Sequence, residues 1–225
     1  MIDGRRIIVS RAIKWMLLSA AVSGALICCA FSGFGRAGAL PASGLVRAVF
    51  DGDTVLLASG EKVRYLGIDA PEVEHGREPG DCFGNEARNA NADLVLHKRV
   101  ILGYDGETVD SYGRLLAFVS LPDGRCVNAE LVRSGHACVF RSLEPQARLK
   151  ELMNLQRDAI RNRRGLWGGC PVKPSPFYVG NQRSFVLHRG ECSFGKQISR
   201  RNRIAFQTRW TGLEEGYRPA RCCKP

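Results

Sequence analysis

The chain is short of acids, of histidine and of repetition. Its 225 residues carry 22 Asp and Glu against 33 Lys and Arg, a net charge of +11. An acidic, solvating disordered tail is therefore excluded, and polyanionic partners come into view. There are only four histidines, and none stands in the central acidic stretch, so an imidazole or thiolate metal site is not suggested there. No internal repeat is visible, which argues against a solenoid. Apolar residues make up 44%, enough for a folded core and too many for global disorder.

The positive charge is uneven. Residues 1–39 carry +4, residues 40–170 carry −1 and residues 171–225 carry +8. The first segment reads as an export signal: Arg5, Arg6, Arg11 and Lys14 precede an uncharged, mostly apolar run from Trp15 to Phe34, and Ala37-Gly38-Ala39 supplies the small residues of a cleavage site before Leu40. The apolar run is also long enough to cross a membrane, so an uncleaved anchor facing outward is the alternative. Seven cysteines follow the leader, at 82, 126, 138, 170, 192, 222 and 223. In an oxidising compartment they can pair, and the odd count leaves at least one that does not. Their connectivity is open.

After the leader, alternation predicts strands at Leu45–Phe50, Thr54–Ala58 and Val63–Ile68, separated by Asp51-Gly52-Asp53 and Ser59-Gly60-Glu61-Lys62 turns. A helix is expected over Phe83–His97, strands over Arg99–Tyr104 and Gly113–Leu121, and helices over Val127–Ser134 and Glu144–Arg163. His136–Phe140 is expected to pair back on the sheet. The order βββ-α-ββ-α-α predicts an α+β, mainly β fold: a five-stranded OB-type barrel with three helices. The organisation is then a leader (1–39), a barrel domain (40–170), a proline-rich linker (171–176) and a small, basic, cysteine-containing module (177–225).

The chemistry concentrates around residues 50–72. Asp53 begins one strand and Asp69 ends a neighbour, so a meander can bring both carboxylates to one barrel end. Two carboxylates and a backbone carbonyl suit a hard cation such as Ca²⁺. Arg64, and Arg114 after Gly113, can each clamp a phosphate through a planar guanidinium. Glu72 is left over as a general base for water. Together these are the parts of a metal-dependent phosphodiesterase. Singly, each has a duller explanation: a turn aspartate, a surface ion pair, an exposed glutamate.

The segments Asp51-Gly52-Asp53-Thr54, Arg64 through Asp69-Ala70-Pro71-Glu72, Asp110-Ser111-Tyr112-Gly113-Arg114, Val127 through Gly135 and Gly165-Leu166-Trp167 resemble, in order, the thermonuclease or staphylococcal-nuclease-like family. The resemblance spans roughly residues 43–170. It implies an OB-fold nuclease that cuts DNA and RNA with one Ca²⁺, held by the Asp53 and Asp69 carboxylates and the Ala70 carbonyl. Arg64 and Arg114 would contact the scissile phosphate, and Glu72 would activate the attacking water. Base-stacking tyrosines would fall near Arg141 and Leu143, where no aromatic stands, and Ser111 occupies a position where the family has lysine. The tail, with His188, Cys192, Cys222 and Cys223, is similar to the zinc domain of DNA methylphosphotriester repair proteins, although Ala220 replaces one expected cysteine. The resemblance implies Zn²⁺, and a Cys192–Cys223 disulfide formed after export is the alternative. The expected protein is a monomer, exported to the periplasm or medium, acting on DNA or RNA and touching membrane only if the leader persists. The rival reading is a catalytically silent nucleic-acid-binding module.

Overall fold

The computed structural model describes residues 39–76, 79–143 and 146–222, and the described residues from Leu40 onward form one compact unit. The leader, the start of the third expected helix at Glu144, and Cys223 lie outside the described residues.

The Asp51-Gly52-Asp53 turn joins β1 (Ser43–Val49) to β2 (Thr54–Leu57) as an antiparallel hairpin. A register shift between Val46 and Ala48 bends β1, as a bulge does. Its first half can thus pair with β5 (Arg99–Gly103) while its second half pairs with β2. β3 (Lys62–Tyr65) continues the meander, and β6 (Leu115–Ser120) closes the ring by pairing parallel to β3 and antiparallel to β5. The result is a closed five-stranded barrel in the order β1-β2-β3-β6-β5, the architecture the strand order predicted.

The third expected strand is not continuous. It breaks at Leu66-Gly67, where Gly67 takes a φ of +76°, a left-handed conformation cheap only for glycine. The chain resumes as β4 (Ile68–Asp69), which pairs with β7 (Cys138–Val139) outside the barrel. His136–Phe140 therefore pairs back on this two-residue strand rather than on the main sheet. Likewise β6 starts at Leu115, because Asp110–Gly113 forms a tight turn with Gly113 N–H donating to Asp110 O.

α1 (Gly84–Val95), α2 (Val127–Arg133) and α3 (Leu149–Arg161) surround the barrel, with a single turn, α4 (Leu166–Gly169), after them. Val46, Val55, Val63, Val100, Val119, Val127, Leu131 and Val132 are fully buried in one cluster. Each contributes about 1.5–3 kcal/mol relative to an exposed side chain. On α3 the buried residues Leu152, Met153, Gln156, Ala159 and Ile160 recur at helical spacing.

The C-terminal segment builds β8 (Tyr178–Asn181), β9 (Val186–Arg189), the turn α5 (Ser193–Lys196), β10 (Arg203–Phe206), α6 (Arg209–Glu214) and β11 (Arg218–Pro219). Its sheet runs β10-β8-β9-β11. Tyr178, Phe185, Leu187, Phe206, Leu213 and Tyr217 pack in one cluster with Ala159, Ile160 and Trp167. The tail and the last helices of the barrel domain thus share a core. Among the described residues no helix is long and apolar enough to cross a membrane.

Candidate active site

The site is built at two strand ends. In the β1–β2 turn, Asp53 N–H donates to Asp51 Oδ1 at 2.9 Å, which fixes the turn, and Asp53 itself is almost fully buried. The turn approaches closely: a Cβ on Gly52 would lie 2.6 Å from Ala70 Cβ and 2.8 Å from Ala87 Cβ. Asp53 Oδ2 accepts the Ala70 N–H at 2.6 Å and Oδ1 accepts the Thr54 hydroxyl at 3.1 Å. The turn and the end of β4 are thereby stitched together.

Arg64, on β3, lies between the two carboxylates. Its Nη1 is 3.0 Å from Asp53 Oδ2 and its Nη2 is 3.0 Å from Asp69 Oδ1. Nη1 also donates to the carbonyls of Tyr65 and Ile68, at 3.1 and 2.9 Å. Burial alone would lower the Arg64 pKa, yet Asp53 and Asp69 outweigh it and hold the guanidinium charged. Burial pushes Asp53 well above the usual carboxylate range, helped by the nearby charges of Asp51 and Asp69 and opposed by Arg64. The carboxylates of Asp53 and Asp69, bridged by Arg64, offer the oxygen donors that a hard divalent cation takes. Asp53, Asp69 and the Ala70 carbonyl therefore fit the Ca²⁺ that the sequence implied.

Arg114 enters from the start of β6. Asp110 cradles it: Nε and Nη2 each lie 2.8 Å from Asp110 Oδ2, while Oδ1 accepts the Arg114 and Tyr112 N–H groups. The guanidinium also sits over the Tyr112 ring, 5.4 Å from its centroid. Arg64 and Arg114 line one open pocket, together with Tyr65–Ile68 and Phe140. Both guanidiniums are held by carboxylates here, and each is a planar donor of the kind that binds phosphate oxygens.

Glu72 lies beyond Pro71 on a loop held by Asp81. Asp81 N–H donates to Glu72 O at 2.8 Å, and Asp81 Oδ2 accepts the Glu72 N–H at 3.3 Å. The next residue, Cys82, is disulfide-bonded to Cys170, which ties this loop to the end of the barrel domain. Glu72 is half-exposed, and its Oε1 lies 2.7 Å from Arg221 Nη2. The sequence did not foresee that contact.

Other supporting residues were also missed. Asn91 on α1 is completely buried, accepting the Tyr65 hydroxyl at 2.9 Å and donating to Asp51 O at 3.0 Å. Asn128 on α2 donates to Leu66 O at 2.8 Å and accepts the Val119 N–H, pinning the turn before β4. Buried Cys138, opposite Asp69 in the β4–β7 pair, donates its thiol to Asp69 O at 3.2 Å, and burial pushes its pKa up. Polar residues on apolar helix faces were the available signal for the two asparagines.

In the tail, His188 Nδ1 lies 3.6 Å from both Cys192 Sγ and Cys222 Sγ, and the two sulfurs are 3.7 Å apart. The three form a compact ligand group. Arg141, where the sequence lacked an aromatic, stacks 4.1 Å from the centroid of Phe185 and donates to Glu215 O. That position serves to hold the tail.

The family model for staphylococcal nuclease homologues matches residues 62–169, a span that holds Arg64, Asp69, Glu72 and Arg114 but begins after Asp53. The thermonuclease of Staphylococcus intermedius is 33% identical over 127 residues, covering 55% of this chain and 74% of that protein. Endonuclease YncB of Bacillus subtilis is 35% identical over 131 residues, covering 55% of this chain and 60% of the relative. An uncharacterized endonuclease of Escherichia coli is 35% identical over 135 residues, covering 58% and 81%. With the closed barrel and these matches together, the chain belongs to the staphylococcal nuclease family.

Proposed function

We propose that this endonuclease-type hydrolase is an exported, Ca²⁺-dependent nuclease that cuts phosphodiester bonds in DNA or RNA. The observation that carries the reading is the shared Arg64: one guanidinium holds two strand-end carboxylates and lines the same pocket as Arg114. In this reading Asp53, Asp69 and the Ala70 carbonyl hold Ca²⁺, which when bound offsets negative charge on a phosphoryl oxygen. Arg64 and Arg114 donate N–H groups to the non-bridging oxygens and stabilise the charge that grows as water adds to phosphorus. Glu72 accepts the proton of that water. The P–O bond to the leaving nucleotide then breaks, and the leaving oxygen takes a proton from solvent.

Export is supported by the leader's composition and by the Cys82–Cys170 bond, which suits an oxidising compartment. In the tail, the His188–Cys192–Cys222 edges of 3.6–3.7 Å match the roughly 3.5–3.8 Å edges of a tetrahedron with Zn–N and Zn–S bonds of about 2.0 and 2.3 Å. We assign Zn²⁺ to this group, and purified protein lacking zinc by elemental analysis would reject the assignment.

The test is hydrolysis of single-stranded DNA and of RNA by residues 40–225, with Ca²⁺ and with chelator. Cleavage that requires Ca²⁺ is expected. Nucleic-acid binding without cleavage under Ca²⁺ or any other divalent ion would replace the enzyme with the silent binding module.

A further inference from the structure

Two tail arginines reach the candidate active site and have no part in the chemistry above. Arg218, on β11, places Nε 3.4 Å from Asp69 Oδ2 and stacks its guanidinium 4.4 Å from the centroid of the Phe140 ring. Arg221 goes further. Its Nη2 is 2.7 Å from Glu72 Oε1 and 3.6 Å from Asp69 Oδ1, and its Nε is 3.5 Å from Asp81 Oδ2. One guanidinium thus contacts the proposed general base and a proposed cation ligand together.

One alternative fits the contacts less well. A casual surface ion pair contributes little and involves one partner; Arg221 meets three carboxylates contributed by β4 and the 72–81 loop. The placement is also enforced from both sides. Gln156 Nε2 donates to Leu213 O at 2.7 Å and Arg157 Nε to Glu214 O at 2.9 Å, which hold α6 against α3. On the other side, the next residue, Cys222, belongs to the His188–Cys192 group.

We propose that the C-terminal unit is a built-in competitor of the nuclease site, with Arg221 occupying the space between Asp69 and Glu72. The inference rests on the nuclease reading, because in that reading Asp69 holds the cation and Glu72 takes the proton of the attacking water. A Ca²⁺ ion binds carboxylate oxygen at about 2.3–2.6 Å, whereas Arg221 Nη2 already stands 3.6 Å from Asp69 Oδ1. Arg64 and Arg218 also contact the Asp69 carboxylate, and Arg221 adds a third positive charge that opposes a cation there while also engaging Glu72. By linkage, the latch weakens Ca²⁺ binding by the same factor that Ca²⁺ weakens the latch.

The test is calorimetric titration of residues 40–225 with Ca²⁺, beside cleavage of single-stranded DNA at limiting Ca²⁺. Arg221→Ala is expected to bind Ca²⁺ about tenfold tighter, inside the usual range of coupling between sites, and to cleave faster. Arg183→Ala, which removes one exposed tail charge away from the site, is expected to match wild type. An Arg221→Ala protein that binds Ca²⁺ no tighter and cleaves more slowly would overturn the latch and make Arg221 a substrate contact. If Arg221→Ala binds Ca²⁺ tighter while no variant cleaves, the competition stands and the nuclease reading fails. If all variants cleave with equal Ca²⁺ affinity, the nuclease reading stands and the latch fails.

Discussion

Gly84 offers a sharp test of how Glu72 is positioned. It is the first residue of α1, so Gly84→Ala would raise helix propensity and by that measure alone stabilise the protein by roughly 0.5–1 kcal/mol. The surroundings oppose this. A Cβ built on Gly84 lies 2.1 Å from Glu72 O and 2.7 Å from Glu72 C, whereas ordinary contact begins at 3.4 Å, so a movement of about 1.3 Å is required. The helix start has little freedom to retreat. Cys82 is bonded to Cys170, and Phe83 packs on the His136 ring at 5.3 Å between centroids. The displacement therefore falls on the Glu72–Val73 backbone, where Asp81 N–H holds the same Glu72 carbonyl. Crowding of this kind costs about 1–3 kcal/mol, leaving a net loss of roughly 0–2.5 kcal/mol after the helix gain. A misplacement near 1 Å lowers turnover by about 10²-fold. Single-turnover cleavage of single-stranded DNA at saturating Ca²⁺, with urea denaturation alongside, separates the two effects. A Gly84→Ala protein with unchanged stability and turnover within about threefold of wild type would show that the Gly84–Glu72 approach does not position Glu72.

Two further predictions concern the frame of the site. Burial raises the Asp110 pKa, but hydrogen bonds from the Arg114 backbone, the Arg114 guanidinium and the Tyr112 N–H more than offset it and leave it below the ordinary value of 3.8. A depressed folded-state value means that its stabilisation is full above that pH and is lost as pH falls through the folded-state pKa. Urea midpoints of wild type should thus fall more steeply below about pH 4 than those of Asp110→Asn, and parallel curves would contradict this. The Cys82–Cys170 bond closes a separation of 88 residues, worth about 4–5 kcal/mol in the chain-entropy treatment. The double variant Cys82→Ser with Cys170→Ser should lose most of that in urea denaturation, and a loss under about 1 kcal/mol would show that the bond merely decorates the fold.

The parts of the protein that could be read from sequence are those with local causes. The Asp51-Gly52-Asp53 hairpin, α1 and α2 follow from turn residues and apolar spacing within a few positions. The barrel followed from strand order, and the matched family model and relatives bear out the nuclease family. What stayed hidden depends on distant partners. Alternation runs unbroken through Val63–Ile68, so nothing local announces that Gly67 takes a positive φ and sends Asp69 to pair with Cys138. Asn91, Asn128 and Gln156 stand on apolar helix faces, but spacing does not name their partners: each is fully buried and hydrogen-bonded to a backbone group far along the chain. Seven cysteines allow many pairings, and only the fold brings Cys82 to Cys170. The approach of Arg221 to Glu72 joins residues nearly 150 positions apart. No spacing rule reaches that far.

In the proposed mechanism Glu72 takes a proton from water beside a cation held by Asp53 and Asp69. Turnover of single-stranded DNA by Glu72→Gln at saturating Ca²⁺, with Ca²⁺ affinity measured on the same protein, tests it most directly. A fall of about 10² or more in turnover, the lower range for a lost general base, with cation binding retained, is the predicted result. Turnover within about threefold of wild type would contradict the assignment and move the search for the base away from Glu72.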